Sequence, residues 1–165
     1  MSRFEGRYRN VQYAYAATIP GGWVGHGPPS PAPEHGFGVV LSWTARAYLY
    51  ADGSYEVMDD KTVEEAAARQ LGYTRQEASR MRSARAVKAR LGPLKAVRQI
   101  ARYECQGLKD IYVTDEFVAL SGDGGVVYKI SLSTVEKRYR KDRQVLEEMA
   151  RSFAVLPQPT FSRMP

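Results

Sequence analysis

Short runs rich in apolar residues recur along this chain, with turn-forming and polar residues between them, and these runs predict β-strands. They contain β-branched or aromatic residues and are bounded by glycine, proline or polar turn residues. They are residues 12–19, 37–42, 47–51, 96–105, 111–120 and 126–132. We therefore expect a β-sheet to form most of the structure.

Turn-forming residues separate these strands and predict the connections between them. The Asp52-Gly53 pair predicts a hairpin that leads into residues 54–58, and the glycine-rich residues 121–125 predict a second hairpin loop. Residues 24–36 contain four prolines, which cannot donate backbone hydrogen bonds to a sheet. That segment is therefore expected to form a loop.

Helical spacing of apolar residues occurs in two places. Thr62 and Glu65 form a capping box ahead of apolar residues at 63, 66, 67 and 71, and Gly72 is expected to end that helix. Residues 139–151 predict a closing helix with an apolar face that continues to Phe153. Residues 74–91 fit either a helix or a basic strand, and the sequence leaves both interpretations open.

Strands at both ends of the chain enclose a helical segment, and most strands are joined by hairpins. This order predicts an α+β protein with a mainly antiparallel β-sheet flanked by helices. The length of 165 residues fits one domain. We expect that domain to span residues 1–156 and residues 157–165 to form a loose C-terminal tail.

Several segments resemble proteins with the Mog1/PsbP-like α/β/α sandwich fold. The closing segment YKISLSTVEKRYRKDRQVLEEMARSFAV, residues 128–155, is similar to the last strand and helix of bacterial members. The segments PAPEHGFGVVLS, residues 31–42, and YLYADGSYEV, residues 48–57, resemble a pattern of uncharacterised, often exported, members. The resemblance covers most of residues 4–156 and implies a strand, hairpins, a capped helix, a four-strand meander and a closing helix.

The resemblance implies a binding or accessory role with no cofactor and no catalytic residues to transfer. Members include photosystem-associated subunits, a regulator of a small GTPase, periplasmic lipoproteins and immunity proteins of secretion systems. The first ten residues contain no apolar core of the signal-peptide type, and no apolar run approaches the ~18 residues of a membrane span. We expect a periplasmic or secreted location if a signal peptide has been removed, and a cytoplasmic one otherwise.

Charge is concentrated in the middle of the chain. The net charge is +6, and residues 80–102 contain eight basic residues and no acidic one. Such a segment predicts a positive surface for an acidic protein partner, with Arg82, Arg85, Arg90 and Arg98 as candidate contacts. The alternatives are binding of nucleic acid or another polyanion, and a merely solvated surface. Stacking on bases is disfavoured because the segment contains no aromatic residue.

The proline-rich loop is a second candidate binding surface. It lies between Trp23 and Phe37 and contains His26 and His35. A stiff segment loses little conformational entropy when a partner binds it. The alternative is a structural cover over a sheet edge, with Trp23 and Phe37 buried as anchors.

Catalytic chemistry has little support in the sequence. The spacing of the two histidines matches no established metal motif, and the one cysteine, Cys105, excludes an internal disulfide. A small enzyme that uses His35 or Cys105, for example as a nucleophile pair, remains an alternative. We expect a non-catalytic interaction module without a metal or cofactor.

Overall fold

Eleven strands and two helices form the part of the chain that the computed structural model describes, residues 2–27 and 35–157. In chain order they are β1 (Ser2–Phe4), β2 (Arg7–Asn10), β3 (Tyr15–Thr18), β4 (Gly25–Gly27), β5 (Gly36–Ser42), β6 (Ala47–Tyr55), α1 (Val63–Glu77), β7 (Arg80–Leu91), β8 (Leu94–Glu104), β9 (Ile111–Leu120), β10 (Val126–Val135), α2 (Glu136–Ser152) and β11 (Ala154–Val155). The expected tail, residues 157–165, lies outside the described residues except for Pro157.

Antiparallel pairing organises all of the described strands into two sheets. The larger sheet has the strand order β1-β4-β5-β6-β10-β9-β8-β7, and the smaller one has the order β11-β3-β2. Strands β7 to β10 form the meander that the resemblance implied. The predicted α+β class with a mainly antiparallel sheet is confirmed.

One face of the larger sheet is buried under α2 and the smaller sheet. The centre of this core is aromatic: Tyr15 stacks on Phe153 with ring centroids 5.6 Å apart, and Tyr128 contacts both rings. Tyr15 and Tyr128 are almost completely buried, and the Tyr128 hydroxyl donates to the carbonyl of Tyr13 at 2.7 Å. These contacts join α2, the smaller sheet and the larger sheet into one core.

The other face of the larger sheet is covered by α1 over β8 and β9. The predicted capping box is present, with the Glu65 amide donating to the Thr62 hydroxyl and the Thr62 amide donating to the Glu65 carboxylate. Ala66 and Ala67 pack against valines of the sheet. These small residues let the helix lie close to the strands. Helix α1 stops short of β5 and β6, so their side chains on this face remain accessible.

The predicted hairpin at Asp52-Gly53 is wrong, because both residues lie inside β6. Gly53 faces the aromatic core, where a Cβ atom would approach Tyr15 Cε1 to 2.9 Å and Tyr13 Cβ to 3.0 Å. Its amide donates to the His35 carbonyl at 2.8 Å. The glycine is therefore required by close packing and not by a turn.

Other element boundaries also differ from the sequence predictions. Helix α1 continues through Gly72 to Glu77, and the ambiguous residues 74–91 divide into the end of this helix and β7. The strand expected at 12–19 is reduced to β3, and the loop expected at 24–36 contains β4. Helix α2 begins at Glu136, directly after β10, and therefore earlier than the expected start at residue 139. Residues 28–34 of the expected loop lie outside the described residues.

The packing around Gly53 generates a testable prediction. Gly53→Ala should lower the free energy of unfolding by about 1–3 kcal/mol, because the added methyl group overpacks the core beside Tyr15. Gly122→Ala is the matched control, since no atom lies within 4 Å of a Cβ at that position. Chemical denaturation of both variants measures the difference, and equal stabilities would contradict the packing explanation.

Candidate partner-binding edge

Strand β7 is an outer strand of the larger sheet and carries most of the predicted basic segment. It has 12 residues and pairs on one side with β8. Among the described strands none pairs with its other side. Almost all of its side chains are exposed. An edge of this length presents a row of backbone donors and acceptors to a partner strand.

The cations of β7 differ in what they contact. Arg82 forms an ion pair with Glu104, and Arg90 donates to the Pro93 carbonyl at 2.6 Å. Arg85 and Lys88 are exposed and contact no carboxylate in the described part of the chain. The middle of β7 therefore carries two positive charges that this protein does not neutralise there.

Arg98, in the neighbouring strand β8, lies on the side of the sheet that faces α2 and is paired inside the protein. Its guanidinium donates to both carboxylate oxygens of the completely buried Asp115, at 2.9 and 2.7 Å, and to Glu147 at 3.0 Å. These hydrogen bonds, with Asp115 first, raise the pKa of Arg98. The Phe117 ring lies 4.9 Å below the guanidinium carbon. Arg98 thus connects β8, β9 and α2 inside the protein.

Tyr139 completes the same buried network from α2. Its hydroxyl donates to Asp115 at 2.7 Å. Burial, followed by the interaction with Asp115, raises the pKa of Tyr139 to about 12. Asp115 consequently receives two bonds from a guanidinium and one from a phenol, so its charge is well satisfied despite its burial.

An apolar groove lies beside β7, between this strand and α1. Its volume is about 270 Å³. Val87 contributes only to the rim of the groove, because its pairing with Arg98 places its half-exposed side chain on the α2 side. The other apolar lining residues are Ala67, Ala68, Leu71, Ala86 and Val97. The groove therefore adds an apolar surface to a positively charged edge.

The second predicted surface lies far across the sheet from β7. His26 is in β4, and Trp23 is half-buried against the main core. His35 is exposed, stacks on Tyr13 with ring centroids 5.1 Å apart, and its Nδ1 lies 3.1 Å from the Gly53 carbonyl oxygen. The structure therefore does not bring Trp23, His26 and His35 together with Arg82, Arg85 and Arg90.

Cys105 and His35 do not form the nucleophile pair considered from the sequence. His35 contacts Gly53 in β6. The residues directly opposite Gly53 on successive strands lead through β10 and β9 to Ala96 in β8. Cys105 lies nine residues further along the chain, roughly 30 Å away at ~3.3 Å per residue. Burial also raises the pKa of the Cys105 thiol. Within residues 2–27 and 35–157, no three metal-binding side chains are grouped.

Sequence reasoning missed a buried polar pair under α1 and an aromatic row next to it. Gln99 donates to the Glu116 carboxylate at 2.5 Å and to the Ala67 carbonyl at 2.8 Å. Tyr48 and Tyr50 lie on the same side of the sheet, beyond α1. The alternation of tyrosine with small apolar residues in AYLYA, residues 47–51, was the available signal for an exposed aromatic face.

Three solved structures share this architecture at low sequence identity. The Ran-binding protein Mog1p of Saccharomyces cerevisiae matches with a TM-score of 0.63 and 13% identity, covering 94% of this chain and 97% of that one. Cyanobacterial PsbP (CyanoP) from Synechocystis sp. PCC 6803 matches with a TM-score of 0.57 and 18% identity, covering 90% of this chain and 91% of that one. LpqN of Mycobacterium tuberculosis is described as involved in cell envelope biogenesis. It matches with a TM-score of 0.60 and 14% identity, covering 87% of this chain and 83% of that one.

These likenesses show the fold, and the protein has the Mog1/PsbP-like fold that the closing segment implied. The chain also matches a longer protein of Bacteroides thetaiotaomicron, with a TM-score of 0.58 and 10% identity, but spans only about half (49%) of its length while 93% of this chain is covered. Neither a family profile nor a curated protein matches the sequence. Across the described residues, neither helix is long and apolar enough to cross a bilayer.

The buried Asp115 network generates a second prediction. Asp115→Asn should lower the free energy of unfolding by about 3–5 kcal/mol, because it removes the buried anionic partner of Arg98 and leaves only the partly exposed Glu147. Asp110→Asn is the control: it removes the exposed ion pair with Lys137 and should cost less than about 1 kcal/mol. Urea denaturation measures both variants, and similar losses would contradict a special role for Asp115.

The buried Glu116 generates a prediction about pH. Burial raises the pKa of its carboxyl above the ordinary 4.5, so the folded protein binds a proton that the unfolded chain has released. Stability from this group is therefore fully present below pH 4.5 and is lost as the pH rises through the raised pKa. Glu116→Gln removes this loss of stability. The variant should therefore have a higher melting temperature than the native protein at pH 7, and the difference should disappear as the pH is lowered toward 4.5. Glu148→Gln, at an exposed position on α2, should not reproduce the effect.

Proposed function

We propose that the protein is a non-catalytic binding module that accepts an extended acidic segment of a partner protein along β7. The observation that carries this proposal is a long, exposed strand whose outer side pairs with no described strand and whose central cations contact no carboxylate of the described residues. Addition of a strand to a sheet edge gains backbone hydrogen bonds, and the side chains on both strands then determine specificity. Here the specificity would be for negative charge.

Charge complementarity favours an acidic strand in this position. Arg85 lies on the α2 side of β7 and Lys88 on the α1 side, as their partners Ile100 and Val97 in β8 indicate. An added strand with acidic residues on both faces could therefore place a carboxylate beside each cation. Opposite charges on adjacent strands stabilise a sheet by about 0.2–1 kcal/mol per pair.

The apolar groove supplies the second part of the recognition. Ala86 borders a depression on the α1 side that a neighbouring strand could fill with a small apolar side chain, and Val87 is half exposed on the α2 side. Burial of Val87 would remove apolar surface from water, while the surrounding cations would remain at the rim. The expected ligand is therefore an acidic segment with interspersed apolar residues.

The same charges disfavour pairing between two copies of this protein. An antiparallel pairing of β7 with a second β7, centred on Arg85 or on Lys88, would place that cation opposite its own copy. Like charges in directly opposed positions destabilise a strand pair. The basic edge therefore favours a different, acidic partner.

Nucleic acid is the competing ligand for a basic surface, and the composition of β7 favours protein. The strand contains no aromatic side chain for base stacking. The flanking Tyr103 is buried and bonded to Thr114. The name of Mog1p as a Ran-binding protein supports protein binding for this fold. The role of LpqN in cell envelope biogenesis supports an exported accessory setting.

A synthetic peptide of repeated Glu-Glu-Thr-Val units, matched in length to β7, tests the proposal because it carries carboxylates on both faces of an extended strand. It should bind the full chain at low salt, and added salt should weaken the binding. The double variant Arg85→Glu/Lys88→Glu should bind at least about tenfold more weakly because attraction becomes repulsion. Isothermal titration calorimetry measures both affinities.

Two controls separate strand addition from general charge attraction. Arg140→Glu/Lys141→Glu makes the same charge change at exposed positions on α2 and should leave most of the affinity intact. A peptide methylated on every backbone nitrogen of its central residues keeps its charge but cannot pair as a strand through either edge, and it should not bind. Equal effects of both double variants, or tighter binding of a single-stranded DNA oligomer than of the peptide, would overturn the proposal.

A further inference from the structure

The side of the larger sheet that carries α1 is only half covered, and its accessible half forms a second surface, here called the open face. It lies on β5, β6 and β10, well away from β7. The side chains and glycines on it alternate with core residues along each strand. Its members are Gly36, Gly38, Val40, Tyr48, Tyr50, Asp52, Lys129, Ser131 and Ser133.

Strand register aligns the open face in straight rows across the sheet. In the central row His26 of β4 lies next to Gly38, followed by Tyr50 and Ser131. A shallow cavity of about 480 Å³ occupies this part of the surface. Gly36 and Gly38 form part of its floor, so the sheet backbone is approachable there without obstruction by side chains.

Aromatic side chains continue this cavity along β6 toward the tip of the β5–β6 hairpin. The ring centroids of Trp43 and Tyr48 are 6.3 Å apart, and so are those of Tyr48 and Tyr50. Trp43 is 75% exposed and Tyr50 is 48% exposed. Tyr50 lies over Gly38, where a Cβ atom would be 3.2 Å from its Cε1, and this contact fixes the ring against the sheet. The three rings form an exposed row of nearly equal spacing.

Polar groups that keep donors or acceptors unused by the described residues lie at the cavity end of this row. Asp52 makes no hydrogen bond or ion pair with any residue that the structure describes. Its cross-strand neighbour Lys129 donates to Gln70 of α1 at 3.1 Å and keeps further N–H groups available. The His26 ring also lacks a hydrogen-bond partner in that part of the chain. The cavity thus offers a carboxylate acceptor, an ammonium donor and an imidazole around a flat floor.

We propose that the open face binds an extended neutral oligosaccharide of the β-1,4-linked type. The apolar faces of its sugar rings would stack on Tyr50 and Trp43, the two exposed rings of the row, while Tyr48 between them lies edge-on to Trp43 at 79°. Its hydroxyl groups would donate to Asp52 and accept from Lys129. A β-1,4-linked chain is a flat ribbon, which suits a shallow row better than a bent chain does. This site is separate from the proposed β7 interface.

Asp52 and Lys129 at the cavity end of the row favour an oligosaccharide over two other ligands that bind aromatic surfaces, a proline-rich peptide and a single-stranded nucleic acid. A proline-rich peptide has few N–H donors, so it would cover Asp52 without satisfying it, and an unsatisfied buried acceptor is costly. A single-stranded nucleic acid would bring its phosphates beside the same carboxylate, with Lys129 as the adjacent cation. A neutral ligand rich in hydroxyl groups avoids both costs.

Titration of the full chain with cellopentaose and chitopentaose, followed by protein NMR and calorimetry, tests this proposal. At least one should bind, and the bent α-1,4-linked maltopentaose should bind more weakly. Tyr50→Ala should reduce the affinity at least about fivefold, as expected for loss of a stacking ring. Tyr50→Phe should retain most of the binding, and Asp52→Asn should weaken it without changing the ring row.

Tyr73→Ala is the matched control, because Tyr73 is an exposed tyrosine of α1 with 49% accessibility. It should leave the affinity unchanged. If Tyr50→Ala unfolds the chain, Trp43→Ala at the exposed hairpin tip supplies the same test. Absence of binding to both β-linked sugars, equal losses in Tyr50→Ala and Tyr73→Ala, or binding of a proline-rich decapeptide in place of the sugars would overturn the proposal.

Discussion

Burial of one complete face of the larger sheet is the constraint on which the rest of this structure depends. Helix α2 and the smaller sheet cover that face, and Tyr15, Tyr128 and Phe153 pack where the three units meet. Because that face is dry, a charge can lie there only with full pairing. Asp115 meets this requirement through Arg98 and Tyr139. The remaining face and the β7 edge are the regions left accessible for binding.

The basic segment illustrates how the same residue type acquires different roles from strand geometry. Arg85 and Arg98 are both candidates by sequence, but β7 is an edge strand and β8 is an interior one. Arg98 is therefore held between the sheet and α2, where its charge compensates Asp115. Arg85 remains at the sheet edge without a carboxylate partner in the described residues. Charge density along a sequence consequently overestimates the charge offered to a partner.

The two proposed surfaces are compatible because they occupy opposite sides of α1. Strand β7 borders the helix on one side, and the open face begins beyond Gln70 and Lys129 on the other. Beneath α1, a line of directly opposed residues crosses the sheet from the open face to β7. It consists of Ser131, Glu116, Gln99 and Ala86. A protein partner on β7 and a sugar chain on the open face could therefore be bound at the same time.

Sequence alone determined the α+β class, the Thr62–Glu65 capping box and the closing helix, because these depend on local periodicity and capping. The meander was implied only by the family resemblance, since residues 74–91 fitted either a helix or a strand. It could not determine why Gly53 is a glycine, since the reason is a contact with Tyr15, 38 residues earlier. Nor could it separate Arg98 from Arg85, or place His26 beside Tyr50. Those relations depend on strand order and register, which arise when distant segments pack together in the folded chain.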